Sequence, residues 1–134
     1  MLHRNIEPDL LPAVDRHRFG VIPFSPLAQG LLTGKYIDGV PKNSRAGRGN
    51  PFLKPEHVTA ELIGKLKGLQ AVAQKRGQSL AAMALSWILR DERITSALIG
   101  ARTVEQVEAN VEAAKNTTFS PEELAEIDKI LAGK

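Results

Sequence analysis

The 134-residue sequence contains no cysteine, which excludes disulfide frameworks, thiolate zinc sites, iron–sulfur clusters and cysteine nucleophiles. Its three histidines, His3, His17 and His57, are scattered without ligand spacing, so no metal site is expected. No run approaches the ~20 apolar residues of a membrane span, and the opening MLHRNIEPDL lacks the apolar core of a signal peptide. A cytoplasmic protein away from membranes is the expectation. Aromatics are also scarce, with four Phe, one Tyr and one Trp, which leaves no stacking platform for single-stranded nucleic acid.

What is present is ordinary soluble composition, 43% hydrophobic and 25% charged, long enough for one domain over 1–134. The net charge of +3 is unevenly placed. Residues 35–54 carry five bases (Lys35, Lys42, Arg45, Arg48, Lys54) and one acid, Asp38, whereas 103–134 hold three bases and seven acids. A basic loop beside an acidic tail points to a local anion site rather than a nucleic-acid face.

Leu10, Leu11 and Val14 share one face of a helix over 8–18, with Pro12 tolerable in the first turn and Gly20 as the stop. Val21-Ile22-Pro23-Phe24 is a short, β-prone apolar run that reads as a buried strand. Glycines and prolines then interrupt any helix longer than a turn or two over 25–58, a loop long enough to suggest function.

Helical spacing returns over 59–76 through Leu62, Ile63, Leu66, Leu69, Val72 and Ala73, with Gly77 as its stop, although Gly68 costs about 1 kcal/mol relative to Ala. Ser79 can cap a second helix over 80–90 that is apolar on nearly every side and therefore sandwiched, with Trp87 in the core. A second strand is predicted over 94–99. Gly100-Ala101-Arg102 turns it into Thr103-Val104-Glu105-Gln106, which has the pattern of a capping box. Strand, tight turn and capped helix make an anion-binding geometry. Val104, Val107, Val111 and Ala114 supply that helix's predicted buried stripe, and Ser120-Pro121-Glu122-Glu123 caps a last helix with Leu124, Ile127, Ile130 and Leu131 on one face. Glu122, Glu123, Glu126 and Asp128 form a solvated face of that helix.

This order is α/β, and two strands separated by helices should pair in parallel. Two buried strands do not make a stable sheet, so the pattern is that of the closing part of a larger β/α fold.

The run Phe24-Ser25-Pro26-Leu27-Ala28-Gln29-Gly30-Leu31-Leu32-Thr33-Gly34-Lys35-Tyr36 resembles a segment of the aldo-keto reductases. So, at the family's separations, do Asn43-Ser44-Arg45, the stretch from Ser79 to Leu89, and Ile99-Gly100-Ala101-Arg102-Thr103-Val104-Glu105-Gln106-Val107-Glu108-Ala109-Asn110. Within that family the run resembles a branch that holds bacterial glyceraldehyde-phosphate reductases and potassium-channel β subunits. The resemblance implies the C-terminal portion of a (β/α)8 TIM barrel, about two strands with their helices, an incomplete barrel because the fold's usual ~250 residues exceed this length. Leu2-His3-Arg4 resembles the interior of a motif after the sixth strand, so the chain is expected to be a truncated product or a fragment of one.

The family reduces carbonyls by hydride transfer from NADPH, using a Tyr, Lys, Asp and His that lie on earlier strands and loops. None maps here, so no catalytic residue is expected, and the isolated chain is expected to be inactive. A small carbonyl substrate would need the missing N-terminal part. What the resemblance implies is the cofactor-binding portion. Phe24 would stack on the nicotinamide, with a plain core Phe as the alternative. Ser25, Leu27 and Gly30 would line the pyrophosphate, and Lys35, Ser44 and Arg45 belong to the loop over the dinucleotide.

At the second site, Gly100, Arg102 and Thr103 would meet the 2′-phosphate, with Gln106 and Asn110 toward the adenosine. Gln106 could equally just complete the capping box. Relatives often carry Glu where this chain has Ala109, which weakens the case for adenine recognition. The alternative function is a non-catalytic binding or self-associating module that uses exposed sheet edges. A Walker A reading of Gly30–Lys35 fails: the glycines are one residue too close, and Tyr36 replaces the magnesium-binding hydroxyl.

Overall fold

The computed structural model describes residues 1–133. Five α-helices follow in order: α1 (Leu10–His17), α2 (Ala60–Lys75), α3 (Leu80–Leu89), α4 (Val104–Ala113) and α5 (Pro121–Ala132), with a run of tight turns over Ala28–Thr33 that departs from helical backbone at Gln29, Gly30 and Leu32, and a short 3-10 helix, Pro55–His57. Their starts are set by local chemistry. Thr59, Ser79, Thr103 and Ser120 each accept a bond from an amide three residues on, satisfying a donor the helix cannot. At α5 the box is reciprocal: the Ser120 amide donates to the Glu123 carboxylate at 2.8 Å and the Glu123 amide to the Ser120 hydroxyl at 3.2 Å. α1 ends two residues before Gly20, on Arg18 in a left-handed conformation (φ 58°).

The core lies between α2, α3, α5 and the folded loop 27–53. Leu66, Leu69, Val72 and Ala73 of α2 and Met83 and Ala84 of α3 are sealed from solvent together with Ile127 of α5, Leu32, Tyr36 and Ala46. α3 is the sandwiched helix that its composition predicts, with seven buried residues, Trp87 among them. Gly68 has a packing reason: a Cβ there would sit 3.1 Å from Ile130 of α5, so the missing side chain lets the two helices approach.

Arg76 ties this layer together. Its side chain is only 5% exposed and pairs with Glu123 at 2.7 Å, donates to the Thr118 carbonyl at 3.0 Å and lies 3.7 Å over the Phe119 ring. Ser86 links α3 to α4 through its hydroxyl, which donates to the Ala113 carbonyl at 2.7 Å while accepting from Gln78 at 2.9 Å.

The two predicted strands come together in parallel, at the bridges Val21–Ile94 and Phe24–Leu98. The Thr95 amide donates to the Val21 carbonyl at 2.9 Å and the Leu98 amide to the Pro23 carbonyl at 3.1 Å. Direction and partner are as expected. Length and burial are not: among the described residues the pairing stays at isolated bridges, and Ile22, Phe24 and Leu98 are exposed, Phe24 by 80%. No further strand of the described residues flanks the pair.

α4 gives the second correction. Val104, Val107 and Val111, predicted as its buried stripe, are exposed, as is Ala114; only Ala113 is buried. The helix leans on α3 through its C-terminal end, and nothing among the described residues covers the valines. The acidic face of α5 is a third. Asp128, Glu126 and Glu123 pair with Arg4, Lys75 and Arg76 respectively, rather than simply facing solvent.

Candidate functional site

The candidate residues fall into two groups joined by the parallel pair. The first starts where the 21–24 segment ends. Ser25 takes a positive φ of 54°, and after Leu27 three successive residues, Ala28, Gln29 and Gly30, are left-handed, with φ of 49°, 60° and 97°. Only Gly30 adopts this conformation freely. The turn is closed by Ala28 donating to the Ser25 carbonyl at 2.8 Å and Gly30 to the Leu27 carbonyl at 2.9 Å.

Around this turn, polar side chains connect. Gln29 Nε2 donates to Ser25 Oγ at 3.0 Å, and Arg45 Nη1 donates to Gln29 Oε1. Ser44 is buried, its hydroxyl accepting from the Gly47 amide at 3.1 Å. The structure thus brings Ser25 and Arg45 together through Gln29 and places Phe24 next to them with its ring in the open. Lys35 is exposed and takes no part in this network among the described residues. Phe24, Ser25 and Gln29 also line a cavity of about 950 Å3 whose walls include Leu11, Trp87 and Ile94, a size suited to a small ligand. A separate polar cleft of about 660 Å3 between Asp15, Arg93 and Thr118 contains none of the candidate residues.

The second group opens α4, two residues beyond Leu98. The Gln106 amide donates to Thr103 Oγ1 at 3.4 Å, but the expected capping box is altered: Gln106 Oε1 accepts from the Arg102 amide at 2.8 Å, not from Thr103. This fixes the turn that carries Arg102 and leaves the Gln106 amide NH2 without a partner among the described residues. Gly100, Arg102, Thr103 and Gln106 are exposed and Asn110 half-buried, one turn along. Gly100 has open space around a would-be Cβ and no positive φ, so nothing in the chain itself demands glycine there.

One residue at this terminus escaped the sequence reading. The Glu105 carboxylate accepts from the Thr103 hydroxyl and from its own amide, which holds it below the usual carboxylate range. It sets a negative charge beside the helix start, where it competes with an approaching anion. Gln29 was missed as well, because no composition rule marks a non-glycine left-handed residue. Its signal in the sequence is only its place between Ser25 and the basic loop.

The Aldo/keto reductase family pattern matches residues 1–132. L-glyceraldehyde 3-phosphate reductase of Escherichia coli (strain K12) is 52% identical over 126 residues, covering 92% of this chain and 36% of that protein. A Schizosaccharomyces pombe protein named for the voltage-gated potassium channel β subunits is 33% identical over 131 residues, covering 95% of this chain and 38% of that protein. The backbone is similar to that of the glycerol dehydrogenase from Gluconobacter oxydans, with a TM-score of 0.75 and 32% identity over 97% of this chain and 39% of that one. The chain spans little more than a third of the length of these relatives. A match across nearly every residue, at these identities, makes the chain a member of the aldo/keto reductase family.

Proposed function

We propose that this chain is the cofactor-binding, C-terminal portion of a (β/α)8 barrel belonging to an NADPH-dependent carbonyl reductase. The observation that carries the reading is the meeting of two donor groups on adjacent, parallel-paired segments. Ser25 and Arg45 gather at the end of one, and Arg102 and the capped start of α4 follow the other. In open β/α architecture ligands bind at the carboxyl ends of strands.

The residues fit a dinucleotide phosphate. The exposed Phe24 ring suits a planar nicotinamide, Ser25, Leu27 and Gly30 would line the pyrophosphate, and Lys35, Ser44 and Arg45 belong to the loop that would fold over the dinucleotide. Gly100, Arg102 and Thr103 would take the 2′-phosphate, with Gln106 and Asn110 toward the adenosine. Arg102 is exposed, and its guanidinium can form a fork on phosphate oxygens. When bound, the reduced nicotinamide supplies a hydride for a carbonyl carbon. This chain's own residues bind and orient; the acid that protonates the carbonyl oxygen and the substrate contacts belong to sequence corresponding to the other two thirds of the relatives. The chain alone is therefore inactive as a reductase in this reading.

Calorimetric titration of NADPH into the purified chain at low salt tests it, with NADH as the control lacking the 2′-phosphate. Saturable binding that favours NADPH is the expected result; absence of heat with both overturns the reading. NADPH oxidation with a generic aldehyde by the chain alone would refute the inactivity.

The exposure of Phe24, Leu98 and the α4 valines favours a second reading, self-association through the open edge and stripe. Size-exclusion chromatography at two concentrations decides it. A monomer at both concentrations overturns this reading.

A further inference from the structure

The left-handed stretch 28–30 contains two residues that are not glycine, and such backbone persists where the surroundings hold it. At Gln29 both ends of the side-chain amide are used. Nε2 donates to Ser25 Oγ at 3.0 Å, and Oε1 accepts from Arg45. One side chain thus joins the end of the 21–24 segment to the basic loop 42–50, across 16 residues of chain.

That loop is held together by its own bonds. The Ser44 amide donates to the Pro41 carbonyl at 2.9 Å, the Arg48 amide to the Ser44 carbonyl at 3.1 Å and the Gly47 amide to Ser44 Oγ at 3.1 Å. The Gly47 Cα lies so close to the Pro41 carbonyl that no Cβ fits. Beyond its own bonds, the loop is tied to its surroundings by the burial of Ala46 in the core, by the buried Tyr36 hydroxyl, which accepts from the Ala46 amide at 3.3 Å, and by Arg45 on Gln29.

We propose that Gln29 is a positioning residue that clasps the basic loop shut and aims Arg45 at the end of the strand. A guanidinium has five N–H donors in a fixed fork, so the bond to Gln29 fixes the group while leaving donors for an anion beside Ser25. The purpose of the clasp rests on the dinucleotide reading above; its existence can be tested without ligand.

The test is hydrogen exchange of the 42–50 amides in the ligand-free wild-type chain, Gln29→Asn and Gln29→Glu. Asn accepts left-handed backbone but is one methylene too short to hold both partners. Glu keeps the length, accepts from Arg45 and can accept from the Ser25 hydroxyl. Loss of one such bond should speed exchange of the loop about threefold to tenfold in Gln29→Asn. Exchange in Gln29→Glu should match wild type or be slower, and amides at the centre of α2 should not change in either. Unchanged loop exchange in Gln29→Asn, or equally fast exchange in Gln29→Glu, overturns the clasp.

NADPH titration of the same three proteins separates the two proposals. If wild type fails to bind while the exchange pattern holds, the cofactor reading falls and the clasp stands. If NADPH binds all three equally, Gln29 does not position Arg45 for the cofactor. A matching affinity loss in Gln29→Asn, restored in Gln29→Glu, supports both.

Discussion

Two apolar surfaces of this chain have opposite fates. Leu66, Leu69, Val72 and Ala73 of α2 meet Met83, Ala84 and Ile127 and leave almost nothing to solvent. Val104, Val107 and Val111 of α4 have the same helical spacing, yet together with Phe24 and Leu98, the latter 61% exposed, they face outward. The difference is not one of composition but of opposition. α2 is packed against by α3 and α5, whereas α4 touches the body through Ala113 and the Ser86 bond. Amphipathicity states that a face needs covering; it does not supply the cover.

The sharpest way to break this contrast is to cut into each surface. Leu66→Ala removes a side chain with no solvent exposure and should lower stability by about 2–5 kcal/mol in urea unfolding. A loss well under 1 kcal/mol would mean that the α2 core is loose. Arg76→Ala should come next, at about 2 kcal/mol. The guanidinium is buried while Glu123 is partly solvated, and loss of the side chain also abandons the Thr118 carbonyl and the Phe119 ring. The double variant Arg76→Ala/Glu123→Gln, measured against both singles, isolates the ion pair.

Acid should loosen the same region. The Ser120 amide and then the Arg76 guanidinium hold the Glu123 carboxyl below the usual carboxylate range, and Arg93 does the same for Asp91. The folded state therefore binds these protons less readily than the unfolded one. That stability is complete above the ordinary carboxylate range and is lost as pH falls through the lowered values. Urea midpoints should drop between about pH 5 and pH 3, with a shallower slope in Glu123→Gln; equal slopes would remove Glu123 from the account.

At the open face the effects shrink. Glu105→Gln removes the negative charge at the start of α4 and should tighten NADPH about threefold, with no such gain for NADH. Equal gains for both nucleotides would place the 2′-phosphate elsewhere. Smallest of all, Val107→Ala should change stability by less than about 0.5 kcal/mol. A loss near that of Leu66→Ala would show the stripe covered in solution and would favour self-association.

Much of the site was legible where chemistry is local. The turn from Ile99 through Gly100 into a Thr103-capped helix follows from residue types at fixed offsets, as do the caps at Thr59, Ser79 and Ser120. The parallel direction of the 21–24 and 94–98 segments also followed, because two helices intervene. Gln29 and Glu105 were not legible. One takes a backbone conformation that its residue type does not announce, and the other sits where an acid is ordinarily a favourable helix start.

By itself the sequence determined the helices, their starts, the buried α3 and the family, since these rest on periodicity, caps and motifs read over short spans. The tertiary structure alone decided which apolar stripes found partners, which acids of α5 met Arg4, Lys75 and Arg76, and that Gln29 spans Ser25 and Arg45. Those outcomes depend on which residues, far apart along the chain, arrive at one place, and side-chain pattern within a segment carries no record of that distance.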